Sequence, residues 1–262
     1  MRSRCIPTAA GLLLAAALFT TPARADEWDN AADPDNGIST DNTLFHGSTQ
    51  VHDLATQVGP VADQDWFLVG LRPFSSYEVV VDGTTGDLGL GTPHVQRMDV
   101  NGNAAQNAII EAPAVLALKW RTGAGSSSVA NYVRVSGAAC HPLCDLADRY
   151  RIRFYDTTCT VPRFNNSGSQ TTALVLQTTR RGCEISIAFF RTDGSLITTH
   201  ATTLASQSAV VLPAASIAGV AGQSGSIRIL HDCGYGGLSG KAVSIEPSTG
   251  FTFDTAIVPR PH

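Results

Sequence analysis

Carboxylates are the densest chemically active groups in this sequence. Residues 26–42, DEWDNAADPDNGISTDN, carry Asp26, Glu27, Asp29, Asp33, Asp35 and Asp41; Asp63 and Asp65 follow at a two-residue spacing that puts both side chains on one face of a strand. A flexible segment rich in Asp and Asn suits a hard cation that takes about six to eight oxygen ligands. Asp33, Asp35, Asp41, Asp63 and Asp65 therefore form the candidate calcium set. The segment is not an EF-hand loop, because Gly37 stands where the third oxygen ligand belongs. Without a cation the same residues are a solvated acidic leader.

Cysteine is the second reactive type. Cys5 precedes an apolar run, and Cys140, Cys144, Cys159, Cys183 and Cys233 remain beyond it, an odd number. In an exported chain such residues are disulfides before they are metal ligands or nucleophiles. Cys140 and Cys144 enclose His141, Pro142 and Leu143, a loop short enough for a Cys140–Cys144 bridge; zinc would need further ligands, and His141 is the one neighbour. Cys183 opens one candidate strand and Cys233 follows another, so a Cys183–Cys233 bridge would staple the two and leave Cys159 as the free thiol.

Other catalytic patterns fail on their own terms. Residues 222–225 lack the spacing of a Gly-x-Ser-x-Gly elbow, and no His-Glu-x-x-His occurs. Residues 236–241 miss a phosphate loop, with Tyr235 at its first glycine and Ala242 at its magnesium-binding hydroxyl. His52-Asp53 and His231-Asp232 are adjacent in sequence, so on a strand their side chains point to opposite faces. The expectation is a non-catalytic binding or adhesion module with an extracellular protein or polysaccharide as partner. Two alternatives stand beside it: a secreted hydrolase whose site is assembled from residues distant in sequence, and a structural component of an envelope or matrix.

The compartment follows from the N-terminus. Arg2 and Arg4, an apolar run over 9–19 and the small-x-small triplet Ala23-Arg24-Ala25 read as a signal peptide over 1–25. Cleavage removes three arginines and takes the formal charge from −4 to −7, which disfavours a nucleic-acid partner held through its phosphates. No later run matches the ~20 apolar residues of a membrane-spanning helix; the nearest, 201–222, is broken by Gln207, Pro213 and Gly219. The chain is expected to be secreted, whether extracellular, periplasmic or at the cell surface.

These residues need a scaffold, and the pattern predicts one that is all-β: two antiparallel β-sandwiches after the cleaved leader. Residues 63–83, DQDWFLVGLRPFSSYEVVVDG, read as two apolar strands facing each other across a Pro-containing turn, a central hairpin. Further short strands fall at 94–100, 115–121, 129–136 and 150–155, and 104–117 is the one stretch with a helical period. An acidic leader over 26–37, a first sandwich over 38–156, a polar junction over 157–170 and a second, immunoglobulin-like sandwich of about seven strands over 171–262 complete the division. Trp66 and Trp120 sit in apolar strand runs as core residues, whereas Trp28 in the leader is expected to be partly exposed.

The order Asp63-x-Asp65-Trp66-Phe67, a strand from Tyr77, Asp87-Leu88, the run Val95 to Gly102, Tyr132-Val-Arg-Val-Ser136 and Tyr150-Arg-Ile-Arg-Phe154 resembles the bacterial pre-peptidase C-terminal (PPC) domain over residues 38–156. The resemblance implies a jelly-roll-like sandwich of secreted proteins, often appended to peptidases and in some collagenases binding collagen. It also implies calcium between the lead-in and the sandwich. No peptidase precedes residue 38 here, a departure from the family's usual arrangement. The second half, from the phrase PRFNNSGSQ onward, is similar to an immunoglobulin-like β module of secreted bacterial proteins with no assigned activity.

Overall fold

The computed structural model describes residues 35–55, 63–90, 93–124, 130–137, 144–179 and 181–260. Residues 1–25, expected to be a signal peptide, lie outside the described residues, as do Trp28, Asp33 and Cys140. Two β-sandwiches follow one another, and among the described residues no helix is long and apolar enough to cross a membrane.

The first sandwich contains β1 (Thr43–Leu44), β2 (Thr49–Asp53), β3 (Gln64–Gly70), β4 (Ser76–Asp82), a short α1 (Gly86–Leu90), β5 (His94–Met98), β6 (Ala104–Asn107), β7 (Ile109–Ala112), β8 (Val115–Arg121), β9 (Ala130–Ser136) and β10 (Arg149–Asp156). One sheet runs β1-β3-β9-β5-β6 and the other β2-β10-β4-β8-β7. The eight strands left when β1 and β7 are set aside follow jelly-roll order, crossing between the sheets at every step but the β5–β6 hairpin. Period-two patterning builds it: in β10, Tyr150, Ile152 and Phe154 point inward while Arg149 and Arg151 are exposed. Phe67, Val69, Tyr77, Val79, Leu118, Val133 and Ile152 meet in the resulting core, each no more than 1% exposed.

Residues 63–83 are not a hairpin. β3 pairs with β1 and β9, β4 pairs with β8 and β10, and the two belong to opposite sheets. Their apolar faces are complementary because they pack face to face across the core, which alternation alone cannot distinguish from edge-to-edge pairing. The turn between them is a sharp corner: Phe74 has φ +48°, and the Arg72 N–H donates to the Tyr77 hydroxyl at 2.6 Å. The helical period over 104–117 is also overridden, since β6, β7 and the start of β8 occupy it with a turn at Ala114 (φ +57°). Ile109 and Ile110, within that stretch, are exposed on the β7 edge strand.

The second sandwich contains β11 (Cys159–Asn165), β12 (Thr171–Thr178), β13 (Cys183–Arg191), β14 (Leu196–Leu204), β15 (Ala209–Pro213), β16 (Ser224–His231), β17 (Leu238–Glu246), β18 (Phe251–Ala256) and β19 (Val258–Pro259). Its sheets run β14-β13-β16-β11-β19 and β15-β12-β17-β18. The stretch expected to be a polar junction, 157–170, holds β11, which lies between β16 and β19 and buries Val161 and Phe164. Pro162 and the β-bulge between Val161 and Phe164 disguise that strand in the sequence. The Cys183–Cys233 disulfide forms as expected, joining the start of β13 to the turn after β16.

Ion pairs and rings knit the sandwiches together. Lys119 of β8 lies 2.6 Å from Glu111 and 3.5 Å from Glu78, and Arg181 of the second sandwich also reaches Glu111. The Tyr235 N–H donates to Glu78 at 2.7 Å, Arg121 pairs with Glu184 at 2.6 Å, and the Tyr155 and Tyr235 rings stack at 4.5 Å. Cys159 and His231 are buried at this seam with Sγ and Nε2 3.7 Å apart. Burial, with Asp156 adding to it, pushes the Cys159 thiol up to about 12; burial brings His231 down to about 4. At neutral pH the pair rests as thiol and neutral imidazole, not as the thiolate and imidazolium of a cysteine nucleophile.

His231 makes the fold acid-sensitive with a defined sign. Its pKa falls from 6.5 to about 4 on folding, so the unfolded chain takes up the proton first. This contribution to stability is complete above about pH 6.5 and is lost as pH falls towards 4, about 3 kcal/mol in all. Urea denaturation across that window should show His231→Asn to be less stable at neutral pH but with a flatter pH profile than the native chain. Equal slopes for the two proteins would refute the assignment.

Candidate metal centre

The first sandwich encloses a polar group inside its apolar core. β3 directs Asp65, Phe67 and Val69 to one face, so a carboxylate shares the core side of the strand with two apolar side chains. β2 of the opposite sheet contributes His52, and the lead-in contributes Asp35. These three residues are 0%, 1% and 2% exposed, and one ligand atom from each lies within 4.8 Å of the others.

Local structure holds each member. The backbone carbonyl of Asp35 accepts the Trp66 N–H at 2.8 Å, and that of Asn42 accepts the Leu68 N–H at 2.8 Å. The lead-in therefore runs alongside β3 and ends in β1, parallel to it, with Thr43 opposite Leu68. His52 lies opposite Tyr150 in the β2–β10 register; its ring stacks on Tyr150 and meets Phe67 edge-on at 4.8 Å. Its Nε2 donates to Gln50 Oε1 at 2.8 Å, an oxygen that can only accept, so Nδ1 is the ring nitrogen able to offer a lone pair. The Tyr150 hydroxyl donates to Asp65 Oδ2.

Of the five expected calcium ligands, the structure brings Asp35 and Asp65 together. Asp63 is buried on the same side of the chain, with Oδ1 accepting the Gln64 N–H at 2.9 Å, but stands outside the three-residue group. Asp41 is exposed, and Asp33 lies outside the described residues. His52 was not in the expected set, because β2 has too little apolar alternation (TQVHD) to read as a strand and thus to aim His52 inward. Two carboxylates and an imidazole form a mixed oxygen and nitrogen donor set. That set fits zinc or manganese better than calcium, which prefers oxygen alone and more of it.

The other expected residues fall as follows. Trp66 and Trp120 are buried, 7% and 6% exposed. Cys159 is a free, buried thiol. Cys144 is disulfide-bonded, and the partner expected for it, Cys140, lies outside the described residues.

No protein-family model matches the chain, and no curated protein matches it. Among solved structures it is similar to the full extracellular region of zebrafish Gpr126/Adgrg6, at 8% identity and a TM-score of 0.24, over 84% of this chain and 33% of that one. It is also similar to a calcium-binding mutant (D341A D367A) of Bacteroides uniformis beta-glucuronidase 2, at 12% identity and a TM-score of 0.19, over 79% of this chain and 27% of that one. The chain thus spans about a third or less of either structure, and at these TM-scores neither likeness carries an argument about fold or activity.

Proposed function

We propose that this chain is an exported, non-catalytic binding module. In this reading a divalent cation held by Asp35, His52 and Asp65 fixes the lead-in segment to the first sandwich. The observation that carries it is the closeness of these three donors in a fully buried site, with the carboxylates supplied from the lead-in and from β3. Two carboxylates brought side by side out of water are stabilised either by sharing a proton or by a positive centre between them, and a bound cation supplies the second. A closed site of this kind serves structure, since a catalytic metal keeps a position open to substrate. The cation's contribution is electrostatic: it neutralises both carboxylates and joins the segments that carry them. A polysaccharide or an extracellular protein is the partner class proposed for the assembled module, and the Cys183–Cys233 bridge supports an oxidising compartment.

Thermal melting separates the readings. A cation that binds only the native state adds about 2.7 kcal/mol at a hundredfold excess over its dissociation constant. Zinc or manganese should raise the melting temperature above that measured with chelator, calcium should do so less, and Asp35→Asn should abolish the response. Superimposable curves with cation and with chelator would dismiss the cation.

A further inference from the structure

A cleft of about 350 Å³ lies where the two sandwiches meet, lined by Arg72, Arg228 and Arg260 together with the hydroxyl residues Ser75, Thr158 and Thr160. Among the described residues that line it there is no carboxylate, although the chain as a whole carries a net charge of −4. The three arginines come from separate places. Arg72 stands in the corner between β3 and β4, Arg228 on β16, and Arg260 just beyond β19. Cations brought together by the fold repel one another unless an anion joins them.

Their partners leave donors to spare. Arg260 spends a nitrogen on Asp156. Arg228 donates one hydrogen bond to the Pro73 carbonyl at 3.1 Å and lies 5.1 Å over the Phe190 ring, which orients its guanidinium without neutralising it. Among the described residues neither Arg72 nor Arg228 pairs with a carboxylate. Thr158 is 4% exposed, and its hydroxyl oxygen accepts the Ser76 N–H at 3.0 Å, leaving its own hydrogen to donate. A guanidinium presents five donors in a planar fork matched to the oxygens of carboxylate, sulfate or phosphate.

We propose that this cleft is an oxyanion-binding site, in which Arg72 and Arg228 clasp the anion, Arg260, its charge shared with Asp156, adds N–H donors and the Thr158 hydroxyl supplies a neutral donor. The proposal deepens the binding role put forward above, and rests on it for its biological meaning, by naming the ligand chemistry as a sulfate, phosphate or carboxylate group. Arg72 and Arg260 also border a neighbouring groove of about 500 Å³ with Leu44, Leu71, Tyr77 and Phe154 in its walls, so the body that bears the anionic group can be apolar.

Calorimetric titration of the full chain with sodium sulfate, sodium phosphate or sodium acetate, at ionic strength held constant with chloride, tests it. At least one of these anions should bind saturably with a stoichiometry near one, and the tightest of them identifies the group as tetrahedral or planar. Arg72→Gln, at an exposed side chain, and Arg228→Gln should each weaken that binding about tenfold. Arg121→Gln, which removes a cation outside the cleft, should leave it unchanged. Repeating the titration with chelator keeps this result separate from the cation clamp, since the oxyanion site shares none of its residues. Absence of saturable binding, or equal binding by the native chain and Arg72→Gln, would overturn the proposal.

Discussion

Asp35 and Asp65 sit almost wholly out of water, and desolvating two carboxylates in one place costs several kcal/mol unless a positive centre and hydrogen bonds offset it. Much of the first sandwich is arranged around that demand. Tyr150 gives its hydroxyl to Asp65, Gln50 fixes the orientation of His52, and the Asp35 backbone is tied to Trp66. With the lead-in held in this way, β1 lies parallel to β3 and covers what would otherwise be the open edge of that sheet. The polar group thus decides where the chain enters the jelly roll.

The same strand leads on to the rest of the molecule. β3 ends in the corner that displays Arg72, and β4 then delivers Glu78 to the seam, where Lys119 and the Tyr235 N–H meet it. Lys119 and Glu78 each have only 9% of the side chain exposed, so their attraction is little screened; Glu111 also holds Lys119 and the Tyr235 N–H also meets Glu78, which makes the pair part of a network. Gly234 shows how close the sandwiches come: with φ +84°, a side chain there would be strained, and its Cβ would lie 3.1 Å from the Glu78 carboxylate.

What was legible in the sequence follows the physics of alternation. β8 (Val115–Arg121) is read to the residue from its apolar run, and β10 nearly so because Tyr150, Ile152 and Phe154 alternate with arginines. The Cys183–Cys233 bridge was legible from its position at the ends of two such strands. Alternation does not report which sheet a strand joins, so β3 and β4 read as a hairpin when they face each other across the core. It also misses β2, whose TQVHD carries its buried group as a histidine, and with it the His52 member of the polar group. Carboxylate density picked out Asp35 and Asp65, which the fold brings together, and equally Asp41, which is exposed, because density ignores direction. The arginine cleft is invisible to sequence reading, since its three cations stand at 72, 228 and 260 and meet only through the packing of one sandwich on the other.

The account stands or falls on what balances the buried charge at Asp35 and Asp65. Elemental analysis of the folded chain, purified without chelator, measures this directly. The account predicts about one equivalent of a divalent metal per chain, retained through gel filtration and lost in Asp35→Asn. A folded native chain that carries no metal, and takes up none when dialysed against zinc, manganese or calcium, would contradict it.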